Sequence, residues 1–414
     1  MKGELKSIFR GGALLSMESA LDIVARFVTL YVFAKLASKE VYGVYTYLQS
    51  WFGTLIFLSL PGLSNAIFRS AARGFDGDLT RGISLRLKFS IIASLAFLGL
   101  SSYFKFSGKP ELVGGLIYAA IFALPLYALA DYRSFLHGKM RFGLATLIGG
   151  VLAFLRTLLV VFGIFLGFGG ASIFGLNLFG QALALALGLF VSFRLRTNKE
   201  HDKEFLSFGT VLSGIAILGA ISYQVDRLSV GSLLSMNELA NYGMAFLLTE
   251  PLREFGVVLY RLFFPRLAAK QRANWDLSYL RAVLLAIFAL IAAYYPIYLA
   301  YQFGVKWLFP RYADALPLVR WLIVAALANI VVMLLETYFQ AQDRWLKFYY
   351  GFTVSVKVAQ MIFTPVAVYL FKVYGAVGSL VTLRFLALAV GSTILFIRGR
   401  RAVSLNLDNS NPSG

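Results

Sequence analysis

Cysteine is absent from this 414-residue chain, histidine occurs twice, and 20 acidic residues stand against 39 Lys and Arg. The first absence excludes disulfides and thiolate metal sites. His137 and His201 fall far apart in predicted loops, so no metal site or catalytic pair is drawn from them. No glycine-rich phosphate loop of the P-loop type is present, which excludes ATP as a fuel used by this chain. No polar stretch is long enough for a separate soluble domain or for the active site of a membrane polymerase or ligase. Charge itself is scarce: Asp, Glu, Lys and Arg make up 14% of residues, against about 25% in soluble domains.

What is present is apolar. Hydrophobic residues reach 59% and mean hydropathy is +0.74, the balance of an all-α integral membrane protein. Apolar segments at roughly 8–34, 42–68, 83–104, 112–135, 143–166, 172–194, 206–232, 238–262, 280–303, 313–338, 346–371 and 374–398 predict about twelve transmembrane helices. The first is too long for a cleavable signal peptide and carries Glu18, Asp22 and Arg26. The formal charge of +19 would suggest a nucleic-acid partner in a soluble protein, but here topology accounts for it. With the N-terminus in the cytoplasm, about 25 Lys and Arg fall in cytoplasmic segments, about 7 in exterior ones and about 7 inside helices. The cytoplasmic clusters are Arg69, Arg73 and Arg81; Lys139 and Arg141; Arg194, Arg196, Lys199 and Lys203; Arg266, Lys270 and Arg272; and Arg398, Arg400 and Arg401. A multi-pass protein of the cell (inner) membrane with both termini cytoplasmic is expected. Each basic loop is read first as orientation and contact with anionic lipid heads.

Several charges sit deep in the apolar segments. Glu18, Asp22 and Arg26 are spaced four apart and stack on one helix face. Arg156, Asp226, Arg227, Glu250, Arg253, Lys357 and Arg384 are similarly deep. Each ionised group facing lipid costs about 2.5–3.5 kcal/mol or more, so the set must line an interior that admits water or a polar cargo.

The polar stretch Arg194–Glu204 divides the chain into an N-terminal lobe, 1–200, and a C-terminal lobe, 201–414, that ends in a short polar tail. Signals recur across it. Tyr42-Gly43 and Tyr242-Gly243 open the second and eighth helices after short turns holding Glu40 or Glu238. Gly169-Gly170-Ala171 and Tyr374-Gly375-Ala376 open the sixth and twelfth. Their offsets of roughly 200–205 residues point to an internal duplication. Each half holds six spans and returns to its starting side, giving parallel repeats with a central cleft that hydrates the buried charges.

The stretch Leu36-Ala37-Ser38-Lys39-Glu40-Val41-Tyr42-Gly43-Val44-Tyr45, then Leu60-Pro61-Gly62-Leu63-Ser64-Asn65-Ala66-Ile67-Phe68-Arg69, resembles the first helical hairpin of Wzx-type polysaccharide flippases. Glu238-Leu239-Ala240-Asn241-Tyr242-Gly243 through Phe264-Pro265-Arg266-Leu267 fits the same pattern in the second half. That family belongs to the MOP superfamily with the MATE multidrug exporters and the MurJ lipid II flippases. The resemblance implies a MATE-like fold that flips a polyprenyl-(pyro)phosphate-linked oligosaccharide to the exterior leaflet by alternating access. It implies no cofactor, Na+ or H+ as the coupling ion, and a polysaccharide polymerase as a partner. Two other readings stay open: a MATE-like multidrug or cation antiporter, and a membrane enzyme of glycan assembly. The extra helix pair of MurJ relatives is not found after Arg401, and at least as many deep cations as carboxylates favour an anionic cargo.

On this reading Arg26, the position best matching the arginines of relatives, grips a pyrophosphate oxygen pair, which suits a guanidinium fork. Glu18 and Asp22 either hold it in place or carry a coupling cation; the alternative for Arg26 is an i,i+4 salt bridge to Asp22. Arg156, Arg227, Arg253, Lys357 and Arg384 are the other cargo candidates, with Asp226 and Glu250 as coupling or supporting carboxylates. Their alternatives are an intrahelical Glu250–Arg253 pair beside Pro251, snorkelling of Arg227, and lobe-internal anchoring of the single cations. Arg320, Glu336 and Asp131 are expected near helix ends, at the interface. Gln49, Asn65, Gln224, Asn329 and Gln360 bind sugar hydroxyls or, more ordinarily, neighbouring helices.

Overall fold

The computed structural model describes residues 2–268 and 275–408, and among these every regular element is helical. Lys270 and Arg272 of the expected cytoplasmic clusters lie outside the described residues. In chain order the helices are α1 (Lys2–Leu36), α2 (Lys39–Leu55), α3 (Leu63–Ala72), α4 (Gly77–Phe106), α5 (Val113–Leu129), α6 (Tyr132–Gly138), α7 (Phe142–Phe165), α8 (Gly170–Arg194) and α9 (Phe205–Leu233). Then follow α10 (Met236–Ala268), α11 (Trp275–Leu308), α12 (Leu316–Ala341) and α13 (Leu346–Asp408).

These make twelve spans. Eight helical stretches are long and apolar enough to cross a bilayer by themselves. One of them, within α13, is two spans divided at Lys372, whose φ is +55°. Beyond that turn, a side chain at Gly375 would collide with the Ala367 carbonyl, which explains the glycine in the Tyr374-Gly375-Ala376 signal. The bent pair α2 and α3, at 60° to each other, forms one more span. The charge-bearing α1 and α10 complete the set.

The bend between α2 and α3 follows from Leu60-Pro61-Gly62. Leu60 takes a left-handed φ of +55°, and Pro61 cannot donate a helical hydrogen bond. A Cβ on Gly62 would run into the backbone of α9 between Gly209 and Ser213, while its amide donates to Ser213 Oγ at 3.0 Å. The motif therefore seats α9 against the bend.

Helix starts repeat across the two halves as the duplication requires. Ser38 caps α2, its hydroxyl accepting from Val41 N–H. Ser235 and Glu238 cap α10 reciprocally: Glu238 N–H donates to Ser235 Oγ at 3.2 Å and Ser235 N–H to Glu238 Oε2 at 3.1 Å. Tyr42, one turn beyond its cap, and Tyr242, two turns beyond, are both buried.

By contacts the chain forms two compact units, Met1–Gly231 and Ser232–Gly414. The sequence break expected at 200/201 is instead where the chain is stitched to the first unit. Asp76 accepts from the Thr197 amide and hydroxyl, both at 2.8 Å, and from Lys139 at 2.6 Å. Asp78 accepts from Asp202 N–H at 2.9 Å and sits 3.0 Å from His201. Arg73 reaches Asp202 at 3.2 Å, and Arg69 pairs with Glu204. Several basic residues read as topological are thus engaged in this knot. Burial pushes the Asp76 carboxyl up, but the Lys139 and Thr197 donors outweigh it and hold it below its ordinary value of 3.8.

Within the first unit α1 packs on α7, α7 on α8, α4 on α5 and α5 on α8. Within the second, α12 packs against α10, α11 and α13 and is its most enclosed helix. Tyr338, Phe339 and Trp345 are buried there against Phe348.

Candidate functional site

The ladder on α1 is satisfied by neighbouring helices. Asp22 accepts from Arg26 at 2.7 Å, one turn along, and from Arg156 of α7 at 2.8 Å. Glu18 faces Arg133 at 2.9 Å and His137 at 3.8 Å, both on α6. Gly149 of α7 makes the approach possible, since a Cβ there would lie 2.8 Å from Glu18 Oε1. The expected Arg26–Asp22 salt bridge is therefore present, but Asp22 is shared and the Arg26 side chain stays 47% exposed. Beside it a polar chain links α2 to α8: Gln181 donates to Asn177 at 2.7 Å, and Asn177 and Gln49 both donate to the Tyr45 hydroxyl. Gln49 thus bonds within its own helix, and it is Asn177 that carries the chain across to α8.

Asp226 and Arg227 lie on α9. Asp226 is buried and accepts from the Arg227 amide at 2.8 Å, with the guanidinium at 3.6 Å. Arg227 also donates to the Tyr223 carbonyl at 2.8 Å and lies over the Tyr223 ring. On α10 the intrahelical alternative holds. Arg253 donates to Glu250 at 3.0 Å through Nε and to Glu254 at 3.0 Å, while the helix continues through Pro251.

The other second-unit charges behave differently. Lys357 and Arg384, both on α13, lie half-buried near Glu336 of α12. Arg384 acts most strongly on Glu336 and Lys357 next, and Arg384 also feels Arg253. Among the described residues, none of Lys357, Arg384 and Glu336 closes an ion pair within 4.0 Å. Thr353 of α13 lies beside Glu336 and Tyr349. Glu336 thus belongs with these second-unit charges. Its place only five residues before the end of α12 is what hid it in the sequence.

A second pair went unread. Arg86 of α4 is 2% exposed and forms an ion pair with Asp131, which is 0% exposed, at the break between α5 and α6. Arg86 also donates to the Ser59 carbonyl at 3.2 Å and to Ser64 Oγ at 2.9 Å, and Ser64 donates to Asp131 at 2.7 Å. Asp131 is therefore interior, not interfacial: the carboxylate must be buried because it neutralises the only cation within its reach among these groups. The available signal was one charge near the same-side ends of two consecutive apolar segments. Arg320, by contrast, is exposed beside Trp321. No group of three or more His, Asp or Glu suited to a metal ion occurs among the described residues.

Comparison with known proteins agrees with this architecture. No curated protein sequence matches the chain. Among solved structures, a multidrug resistance MATE family transporter of the MOP superfamily in its inward-facing conformation aligns with TM-score 0.71 at 15% identity, covering 95% of this chain and 99% of that one. An outward-facing conformation of such a transporter aligns with TM-score 0.64 at 16% identity, covering 96% of each. A MATE protein in complex with MaD3S gives TM-score 0.63 at 16% identity over 96% of this chain and 97% of that one. The family model described as polysaccharide biosynthesis protein matches residues 8–271, more than half of the sequence. The chain accordingly belongs to the polysaccharide biosynthesis protein family and has the twelve-helix fold of MOP-superfamily membrane transporters.

Proposed function

We propose that this transporter flips a polyprenyl-(pyro)phosphate-linked oligosaccharide from the cytoplasmic to the exterior leaflet of the cell membrane. The observation that supports this best is the pair Lys357 and Arg384, two intramembrane cations that close no ion pair among the described residues. A charge held within the membrane without a salt bridge is costly, so such a pair is retained where an anion visits. A phosphate or pyrophosphate supplies that anion and offers the oxygens a guanidinium and an ammonium both accept.

In this reading the head group exchanges water for Lys357, Arg384 and the Thr353 hydroxyl. In the first unit the half-exposed Arg26 offers a second phosphate contact, with Asp22 and Arg156 fixing its place. Arg227 and Arg253, each paired on its own helix, shape the field rather than grip the cargo. The prenyl chain needs no polar site and stays among apolar surfaces. An apolar groove of about 600 Å³ between α11, α12 and the second span of α13 begins one residue beyond Arg384, at Phe385, and includes Leu388, Ala389 and Ser392. It suits part of such a chain. Na+ or H+ drives the cycle, since one charge crossing 100 mV is worth about 2.3 kcal/mol. The termini lie in the cytoplasm, and a polymerase consumes the product outside.

The fold equally suits a multidrug antiporter, the activity named for the structural relatives. Two unpaired cations repel a cationic drug, which is why the anionic cargo is preferred. The deciding experiment reconstitutes the protein in vesicles with a fluorescent lipid-linked oligosaccharide and, separately, a fluorescent cationic drug. The flippase reading expects movement of the first alone; movement of the drug alone overturns it.

A further inference from the structure

We infer that α9, the seventh span and by duplication the first of the second half, moves as a fixed member of the first unit throughout the transport cycle. The chain's joint is then the turn Leu234-Ser235 and not the polar stretch Arg194–Glu204. The inference needs the chain to be a transporter and is independent of what the cargo is.

Contacts spread along the whole of α9 hold it to α2, α3 and α4. At its start, the Phe205 ring lies 3.2 Å from where a Cβ on Gly82 of α4 would stand, and the Arg69 guanidinium of α3 sits 4.6 Å over the Phe208 ring. One turn on, a Cβ on Gly209 would meet Leu63 Cδ2 at 2.5 Å and the Ala66 methyl at 3.3 Å. The Gly62 amide then donates to Ser213 Oγ at 3.0 Å, where the α9 backbone leaves no room for a side chain on Gly62. About three turns further, a Cβ on Gly53 of α2 would lie 2.5 Å from Gln224 Nε2. At the far end Lys109, in the turn between α4 and α5, donates to the Gly231 carbonyl at 3.1 Å.

A surface that opens and closes in alternating access parts at one end while it stays shut at the other. α9 is held at both ends of its span and between them, by approaches so close that glycine is needed on one side or the other. Surfaces interlocked in this way move as one body, and a few residues at the end of an element absorb the change in φ and ψ. After Leu233 only Leu234 and Ser235 precede α10. The Arg194–Glu204 stretch has no such freedom, because Asp76 and Asp78 fasten it on its way into α9. The duplication therefore divides the spans six and six, whereas the contacts divide them seven and five. Asp226 and Arg227 accordingly stay with Asp22, Arg26 and Arg156 whichever way the transporter faces.

The absence of cysteine makes the test direct. Ala66→Cys/Gly209→Cys sets two Cβ atoms 3.3 Å apart, close to the spacing of a disulfide. Gly53→Cys/Gln224→Cys is a second lock, closed with a short bis-methanethiosulfonate reagent that reductant also cleaves. Each full-length variant is reconstituted in vesicles with the lock driven to completion, as read by intact mass. The transport rate is followed before and after reductant, with whichever of the two fluorescent cargoes the wild type moves, so a failed cargo assignment is seen in the wild type and not in the locks. Both locked variants keep at least half of the rate they show when reduced. Loss of more than half in either one, restored by reductant, overturns the inference, because α9 must then leave the first unit during the cycle. A variant that stays inactive when reduced and shows a lowered Tm is misfolded, and the other pair decides.

Discussion

Replacing Asp131 by Ala should leave a guanidinium buried with no counter-charge. Arg86 is 2% exposed, and around it remain the Ser59 carbonyl, the Ser59 hydroxyl and the Ser64 hydroxyl, all neutral. Breaking a buried pair from one side costs about 3–5 kcal/mol. Ser64 also loses its acceptor, about 1 kcal/mol more. For a cooperative unit of this size each kcal/mol shifts Tm by roughly 2–4 °C, so the expected fall is on the order of 10 °C or more. The double variant Arg86→Met/Asp131→Leu removes both charges and fills the space with apolar groups, and it should recover most of that loss. Thermal unfolding of purified protein in one detergent, followed by aggregation or tryptophan fluorescence, reads wild type, Asp131→Ala, Arg86→Met and the double variant. A Tm for Asp131→Ala within about 2 °C of wild type, or a double variant worse than either single one, would refute the claim that a desolvated charge pair joins α4 to the α5–α6 break.

Three further outcomes follow from particular contacts. Gly62→Ala pushes a methyl into the α9 backbone and should lower Tm by several degrees, whereas Gly99→Ala, with open space around it, should not. Because the Asp76 carboxyl is held below its ordinary value, its contribution to stability is fully present above pH 3.8 and is lost as pH falls through the lower folded value. Lys139→Met removes a donor that lowers it, so the acid limb of a stability–pH profile should move upward, while an unmoved limb would contradict the assignment. Filling the apolar groove with Ala389→Trp should slow flipping of a long-chain lipid-linked oligosaccharide several-fold and leave a short-chain analogue unaffected; equal effects on both would remove the prenyl chain from the groove.

Membrane crossing and helix count were legible because apolar runs of about twenty residues have few alternatives in water or lipid. The α2–α3 bend was legible only as a motif: Leu60-Pro61-Gly62 stood out as a resemblance, but the reason for its glycine is the backbone of α9, some 150 residues away in sequence. Glu18, Asp22 and Arg26 were correctly placed on one face of α1. Which partners each would take could not be read there, because Arg133, His137 and Arg156 arrive from α6 and α7. The Arg194–Glu204 segment misled in the opposite direction: its polarity reads as a linker, whereas its side chains close a knot with Asp76 and Asp78. Depth along a helix was the weakest inference. Glu336 and Asp131 sit near segment ends, yet packing from neighbouring helices, absent from any one-dimensional pattern, encloses both.

The central claim is that Lys357 and Arg384 receive the anionic head of the cargo. The most direct measurement is the initial rate of flipping of a fluorescent lipid-linked oligosaccharide in vesicles, wild type against Lys357→Gln/Arg384→Gln, with folding checked by an unchanged Tm. Losing two charge-assisted contacts of about 1.5–3 kcal/mol each predicts at least a tenfold fall in rate at subsaturating cargo. A folded double variant that flips the cargo at the wild-type rate would contradict it.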